Sequence, residues 1–127
     1  HGTGRWAEEM GNVSGFVFHA EDEPVVYWPG DTIINDDVVQ VFNDFKPDLV
    51  ITNSGGAQFE EDTPIIMDDE QTIQLCLEYP NSTFIATHLE ALEHCPVTRA
   101  QLRGLAQSSE IPDERLLIPD DGETLDL

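Results

Sequence analysis

The chain has 127 residues, of which 39% are hydrophobic, 26 are acidic and only five are basic, giving a net charge of −21. A chain of this length fits a single domain, and so acidic a surface repels phosphate backbones and anionic membranes. We therefore expect no nucleic acid and no membrane among its partners, and no apolar run approaches the ~20 residues that a bilayer-spanning helix needs.

The first half of the chain predicts a β-hairpin, a helix and a buried strand. Residues 13–20 and 25–28 are rich in β-branched and aromatic residues and flank an acidic turn. Residues 35–37 carry helix-capping side chains and open a helix that extends to residue 45. After Lys46-Pro47 ends that helix, the apolar run at 48–52 indicates a buried strand.

The second half continues the alternation of strands and helices. Residues 68–70 open a second helix, residues 83–87 form another short apolar strand, and Thr98 caps a third helix that extends to about residue 107. Residues 115–118 and 123–127 predict a terminal hairpin around the turn at 120–122. The pattern predicts one layered α/β domain with a mixed sheet.

Polar side chains follow three of the predicted strands. Asp31 comes after a strand that ends at Pro29-Gly30, residues 53–56 (Asn-Ser-Gly-Gly) follow the next strand, and His88 follows the third. Ligands in α/β sheets gather at the carboxyl ends of strands, so these exits are expected to share one edge. Imidazole and carboxylate together suit Zn²⁺, Mn²⁺ or Fe²⁺. Gly30-Asp31 is also typical of a surface turn, and a buried histidine that caps a helical turn explains His88 equally well.

The remaining histidines and the cysteines give weaker signals. His19 lies beside the acidic turn and is expected on the surface, while His94 lies six residues after His88 and does not share a helical face with it. Cys76 and Cys95 are too few and too far apart to predict a disulfide framework or a zinc site. We expect both to be reduced thiols in a cytoplasmic protein.

Several of these segments match one family in order and separation. They are His1-Gly2, residues 27–32 (Tyr-Trp-Pro-Gly-Asp-Thr), residues 48–51 with 53–56, Ile66-Met67-Asp68, residues 84–88 (Phe-Ile-Ala-Thr-His) and residues 117–125. With them the chain resembles the C-terminal half of a metallo-β-lactamase-fold hydrolase, in the L-ascorbate-6-phosphate lactonase-like branch of metal-dependent hydrolases.

The resemblance implies an αβ/βα sandwich, with residues 1–127 as the C-terminal half of a single domain. It implies two divalent metal ions, with Asp31 as the bridging carboxylate, His88 as a ligand of the second metal and His1 as a ligand of the first. A hydroxide held between such ions would attack a small ester, lactone or phosphate-bearing substrate. His94 and Arg99 are expected near the substrate mouth; a structural hydrogen bond for His94 and a solvent-facing helix charge for Arg99 are the alternatives.

The family's H-x-H-x-D-H motif is absent from this chain, and we expect it upstream of His1, in a longer polypeptide. Asp31, His88 and His1 give at most three ligands, whereas a catalytic zinc takes three protein ligands of its own. We therefore expect the chain alone to be inactive or poorly metallated. One sheet face would need the N-terminal half, on the same or a separate chain, or a second copy in a homo-oligomer.

Two other functions remain open at this stage. The first is a non-catalytic, acidic interaction module that keeps the fold without an intact metal site. The second is a glyoxalase-II-like or nuclease-like member of the same fold, although the negative charge argues against a nucleic-acid substrate.

Overall fold

The computed structural model describes residue 2, residues 4–59 and residues 63–127, and these build a five-stranded sheet. In spatial order the strands are β1 (Phe16–Phe18), β2 (Val26–Gly30), β3 (Leu49–Asn53), β4 (Thr83–Thr87) and β5 (Leu116–Leu117). The first two strands are antiparallel and the other neighbours are parallel. The predicted hairpin and the predicted mixed sheet are both confirmed.

The three predicted helices form with the expected caps. They are α2 (Asp36–Phe45), α3 (Asp69–Glu78) and α4 (Arg99–Ser108), and they follow a short helix α1 (Arg5–Met10) that the sequence did not predict. The side chains of Asn35, Asp68 and Thr98 each accept a hydrogen bond from a backbone N–H in the first turn of the helix that follows. No helix in the described part of the chain is long and apolar enough to cross a membrane.

Helices α2, α3 and α4 contribute to the core on one face of the sheet. Val50 and Phe84 are fully buried there, together with Phe42 of α2, Leu75 of α3 and Leu102 of α4. Residues on a strand alternate between the two faces, so the neighbours of these core residues point the other way. On β1 and β2 that opposite face exposes three aromatic side chains, namely Phe16, Phe18 and Trp28.

The predicted terminal hairpin is wrong. β5 pairs in parallel with β4, and residues 123–127 form no strand. Residues 121–122 do form the expected turn, but Arg103 and Arg99 on α4 bind the side chains of Asp120 and Asp121. These ion pairs hold the C-terminal segment against α4, so it does not return along β5.

Candidate metal centre

The polar strand exits share one edge of the sheet, as predicted. β2, β3 and β4 run parallel, with Gly30 opposite Thr52 and Asn53 opposite Thr87. The residues that directly follow these strands therefore emerge at the same, carboxyl-terminal edge.

Asp31 leaves β2 through a left-handed glycine and is held by a side chain of β3. Gly30 has a φ of 71°, which turns the chain sharply at the strand end. Asn53 donates from Nδ2 to Asp31 Oδ1 at 2.6 Å. Its own Oδ1 lies 3.0 Å from the hydroxyl of Thr87, which also lies 2.9 Å from the Thr52 carbonyl. The amide therefore orients the Asp31 carboxylate from β3 and contacts β4 as well.

His88 is oriented by Cys95. Its Nδ1 lies 3.6 Å from the Cys95 sulfur, so Nε2 is the ring nitrogen left to face a metal or another partner. Cys95 is only 5% exposed. Burial, and then the negative charge of Asp31, raise the pKa of the Cys95 thiol above its ordinary value. The thiol is therefore neutral at physiological pH, and Asp31 and His88 both border it.

Gly55 explains how the exit of β3 packs against His88. A Cβ at this position would lie 2.2 Å from the His88 carbonyl oxygen and 3.0 Å from Cys95 Cβ. No other residue fits without moving the backbone of the candidate ligand. Hydrogen bonds from Ser54 N to Thr87 O at 2.9 Å and from Val97 N to Gly55 O at 3.2 Å hold the two loops in this contact.

A cleft of about 240 Å³ opens beside His88. Its lining includes Thr87, His88, Leu89, Ala91 and Arg99, and the C-terminal residues 119–122 complete it. Arg99 thus lines the cleft beside His88, with its side chain 16% exposed, and its predicted contact with a substrate stays a prediction.

The guanidinium of Arg99 holds the wall of this cleft together. It donates to Glu90 Oε2 at 2.7 Å, to the Pro119 carbonyl at 2.8 Å and to Asp121 Oδ1. The hydrogen bond to Glu90 is the largest influence on the pKa of Arg99, which lies above its ordinary value. Arg99 thus joins the loop after β4 to the C-terminal segment.

The other histidines have different surroundings. The His94 ring stacks on Phe59 with centroids 5.1 Å apart, and Phe59 in turn lies 5.2 Å from the ring of Trp6. His19 is exposed, as expected. His1 lies outside the described residues, so its role as a ligand stays a prediction.

No family model matches the chain, but individual proteins do. It is 29% identical over 115 residues to the UPF0173 protein YddR of Bacillus subtilis (strain 168), a match that covers 91% of this chain and 45% of that protein. It superposes with a TM-score of 0.89 on the isothiocyanate hydrolase from Delia radicum gut bacteria, at 36% identity over 98% of this chain and 48% of that one.

Two further solved structures share the architecture. A possible metal-dependent hydrolase from Veillonella parvula DSM 2008 matches with a TM-score of 0.89 and 32% identity over 95% of this chain and 46% of its own. The metallo-β-lactamase fold protein YhfI from Bacillus subtilis matches with a TM-score of 0.56 and 15% identity over 82% and 39%. The chain has the metallo-β-lactamase fold. The predicted fold class and the resemblance to metal-dependent hydrolases are confirmed, and the chain spans about half the length of the proteins it matches.

The donors at this edge fit part of a metal site of a metallo-β-lactamase-fold protein. Asp31 supplies carboxylate oxygen and His88 supplies imidazole nitrogen, a donor set that suits Zn²⁺, Mn²⁺ or Fe²⁺. Within the described residues, no group of three or more His, Cys, Asp or Glu side chains is placed to hold a metal. Asp31 and His88 are thus two donors of a set that the described residues do not complete.

The residues that orient Asp31 and His88 were not singled out by the sequence. Asn53 was predicted at the correct edge, but its contact with Asp31 depends on the register between β2 and β3. Cys95 lies seven residues after His88 in an irregular loop, and no spacing rule connects them. Thr87, the last residue of β4, supports Asn53 only because β3 and β4 pair in register.

Proposed function

We propose that this chain is part of a metal-dependent hydrolase and supplies Asp31 and His88 to a centre for two divalent cations, Zn, Mn or Fe. The observation that carries the proposal is the meeting of an oriented carboxylate and an oriented imidazole beside Cys95, at the carboxyl edge of the sheet. The hydrolase names of the two neighbours with a TM-score of 0.89 support the same reaction class.

When bound, two cations at such a centre lower the pKa of a shared water and polarise an oxygen of the substrate's reacting group. The chain's own residues prepare the site for them. Asn53 fixes the direction of the Asp31 carboxylate, Cys95 turns the His88 ring so that Nε2 faces outward, and Gly55 lets the two strand exits approach. Ligands held in this way need little rearrangement when a metal binds.

The substrate in this proposal is a small molecule that enters the cleft beside His88. Leu89 and Ala91 give the cleft an apolar side. Arg99 donates to the Pro119 carbonyl and so holds residues 119–122 in place as part of the lining. Small esters, lactones and phosphate-bearing compounds all carry a reacting group that metal-assisted hydrolysis can address. The isothiocyanate hydrolase among the neighbours adds isothiocyanates as a fourth class to test.

His1 is a third ligand from this chain in this proposal, and the ligands beyond it, with the cover of the open sheet face, belong to the N-terminal half of the domain. The match to about half of each relative supports this division. The uncovered face exposes three large aromatic side chains, those of Phe16, Phe18 and Trp28. Burying them requires a partner surface large enough to cover all three. In this proposal that half either precedes this chain or is a separate polypeptide. The complete assembly is a cytoplasmic enzyme in which Cys76 and Cys95 of this chain stay reduced.

Metal analysis of the intact protein tests the proposal. We expect roughly two equivalents of metal per domain, and loss of metal and of ester or lactone hydrolysis in Asp31→Ala and His88→Ala. The matched control is Asp48→Ala, because Asp48 accepts a hydrogen bond from Val25 N at 2.8 Å at the other edge of the sheet. That variant should retain its metal.

The second candidate function is an acidic interaction module without a metal site. The observation in its favour is the incomplete ligand set within the described residues, together with the net charge of −21. An intact protein that binds no metal, and that Asp31→Ala and His88→Ala leave unchanged, would establish this alternative and overturn the hydrolase.

A further inference from the structure

Three of the five basic side chains lie away from the cleft beside His88. Arg115 donates to backbone carbonyls at the amino-terminal edge of the sheet, and Lys46 ends α2 at that same edge. Arg5 pairs with Glu9 at 3.3 Å and lies over the ring of Trp6. None of these three cations lines the cleft, and the chain contains only two others.

Of the two remaining arginines, Arg99 lines the cleft and Arg103 binds the lining residue Asp120, and carboxylates already hold both. Arg99 binds Glu90 and Asp121, and Arg103 binds Asp120 at 3.2 Å as well as the Ile118 carbonyl at 2.7 Å. Two positive charges therefore face three negative ones along this wall. Guanidinium groups recognise phosphate by directing N–H groups at its oxygens, and here those N–H groups point at the protein's own acids.

The surroundings of His88 toward Cys95 are apolar. Cys95 is buried and packs in a cluster with Ala57, Ile65 and Ile66. An anionic substrate next to His88 would lose hydration on this side and meet net negative charge along the wall. An uncharged substrate meets neither cost.

We propose that the site selects uncharged small substrates over phosphate-bearing and other anionic ones. The inference rests on the proposed hydrolase function and concerns the same cleft. Metal ions would bind the reacting oxygen of a neutral and of an anionic compound alike when both carry the same reacting group. The wall formed by Arg99, Arg103 and the acids that hold them makes that distinction.

A matched substrate pair tests this on the intact, metal-loaded protein. The pair is p-nitrophenyl hexanoate and mono-p-nitrophenyl adipate, which share the ester and the leaving group but differ by one distal carboxylate. We expect kcat/KM for the neutral ester to exceed that for the anionic ester by about tenfold at low ionic strength, and the ratio to fall as salt screens the wall. A higher kcat/KM for the anionic ester would overturn the inference.

Asp121→Asn probes the wall directly. It removes one negative charge beside Arg99 and leaves an amide oxygen that can still accept from the guanidinium, so the neutral-to-anionic ratio should fall by about threefold at low ionic strength. Asp126→Asn is the matched control, because it makes the same charge change at an exposed position in the same segment, outside the cleft lining. Equal changes of the ratio in both variants would contradict a role for this wall.

A binding measurement keeps the inference separate from the proposed function. In NMR spectra of the intact protein without metal, millimolar inorganic phosphate should leave the Nε–H resonance of Arg99 unshifted, because Pro119 holds that donor and carboxylates hold its neighbours. A saturable phosphate shift at Arg99 would overturn the inference even in a protein that hydrolyses nothing. Absence of both metal and hydrolysis would instead overturn the proposed function.

Discussion

Asp31 and Asp48 both lie beside a parallel strand, but they are at opposite ends of the sheet and their hydrogen bonds differ. Asp48, just before β3, accepts from the backbone N–H of Val25. Its neighbours at that edge behave alike, since Ser82 donates to the Pro47 carbonyl at 2.7 Å and Arg115 donates to carbonyls after α3. Each of these side chains binds a backbone group, so the polar residues at this edge stabilise the fold.

At the carboxyl edge, side chains also contact one another. Thr87 supports Asn53, Asn53 orients Asp31, and Cys95 faces His88. Networks of this kind leave a carboxylate and an imidazole fixed in direction, as metal ligands require. The hydrogen-bond partners of a polar residue at a strand end therefore indicate whether its role is structural or functional. Residue type alone does not separate Asp31 from Asp48.

The largest effect is expected at the structural edge, from Arg115→Met. Arg115 Nη2 lies 2.8 Å from the Cys76 carbonyl, 3.1 Å from that of Tyr79 and 3.0 Å from that of Ser82. The Tyr79 carbonyl keeps its hydrogen bond from Ser82 N, but the part-buried carbonyls of Cys76 and Ser82 lose this donor, which should lower the free energy of unfolding by about 3 kcal/mol. Urea unfolding measures this, and metal content should be unchanged. If Arg115→Met lost metal without losing stability, the two edges would not differ in function as described.

Gly55→Ala should disturb both stability and the metal site. The new Cβ clashes with the His88 carbonyl, and the forced backbone shift should cost about 2–3 kcal/mol and weaken metal binding. Gly104→Ala is the matched control, because a Cβ there meets nothing within 4 Å and α4 gains helix propensity of about 0.5–1 kcal/mol. Thermal unfolding with and without metal compares the two. Equal effects would show that the contact between Gly55 and His88 is unimportant.

Asn53→Ala should act mainly on the metal. Without the amide, the Asp31 carboxylate loses its orienting donor, and affinity for Zn²⁺ should fall by about 10- to 100-fold. Asn35→Ala removes a helix cap instead and should cost about 1 kcal/mol of stability with unchanged metal affinity. Competition with a chromogenic chelator measures the affinities. A metal affinity that falls equally in both variants would mean that Asn53 acts only through the fold.

The smallest effect concerns Cys76 in the core. Burial raises the pKa of its thiol from 9.0 to about 12. The unfolded chain then releases this proton at lower pH than the folded chain, so the thiol's contribution to stability is complete below pH 9 and is lost as the pH rises toward 12. Cys76→Ala should therefore lose stability less steeply above pH 9 in urea titrations. Parallel curves for parent and variant would show that this thiol does not contribute.

Local signals predicted most of the fold. The caps Asn35, Asp68 and Thr98 mark where three helices begin, because a capping side chain needs only neighbours in sequence. The short helix α1 was missed because it buries no residue and so has no hydrophobic pattern. The terminal hairpin was mispredicted because the turn after Asp120 is held by arginines of α4, a contact between distant segments.

The sequence predicted which edge of the sheet carries the candidate site, but not the residues that orient Asp31 and His88 there. Asp31 and His88 follow strands, so their shared edge can be predicted from strand order alone. The Asn53–Asp31 and Cys95–His88 contacts depend on register and on loop packing against Gly55. The ion pairs of Arg99 with Glu90 and Asp121 join segments that are distant in sequence, so a local sequence pattern does not predict them either.

Anomalous diffraction from crystals of the intact protein, recorded at the absorption edge of the bound metal, shows whether Asp31 and His88 bind it. We expect metal peaks within about 2.0–2.2 Å of an Asp31 carboxylate oxygen and of His88 Nε2. Metal bound elsewhere, with Asp31 and His88 in contact only with protein, would contradict this expectation.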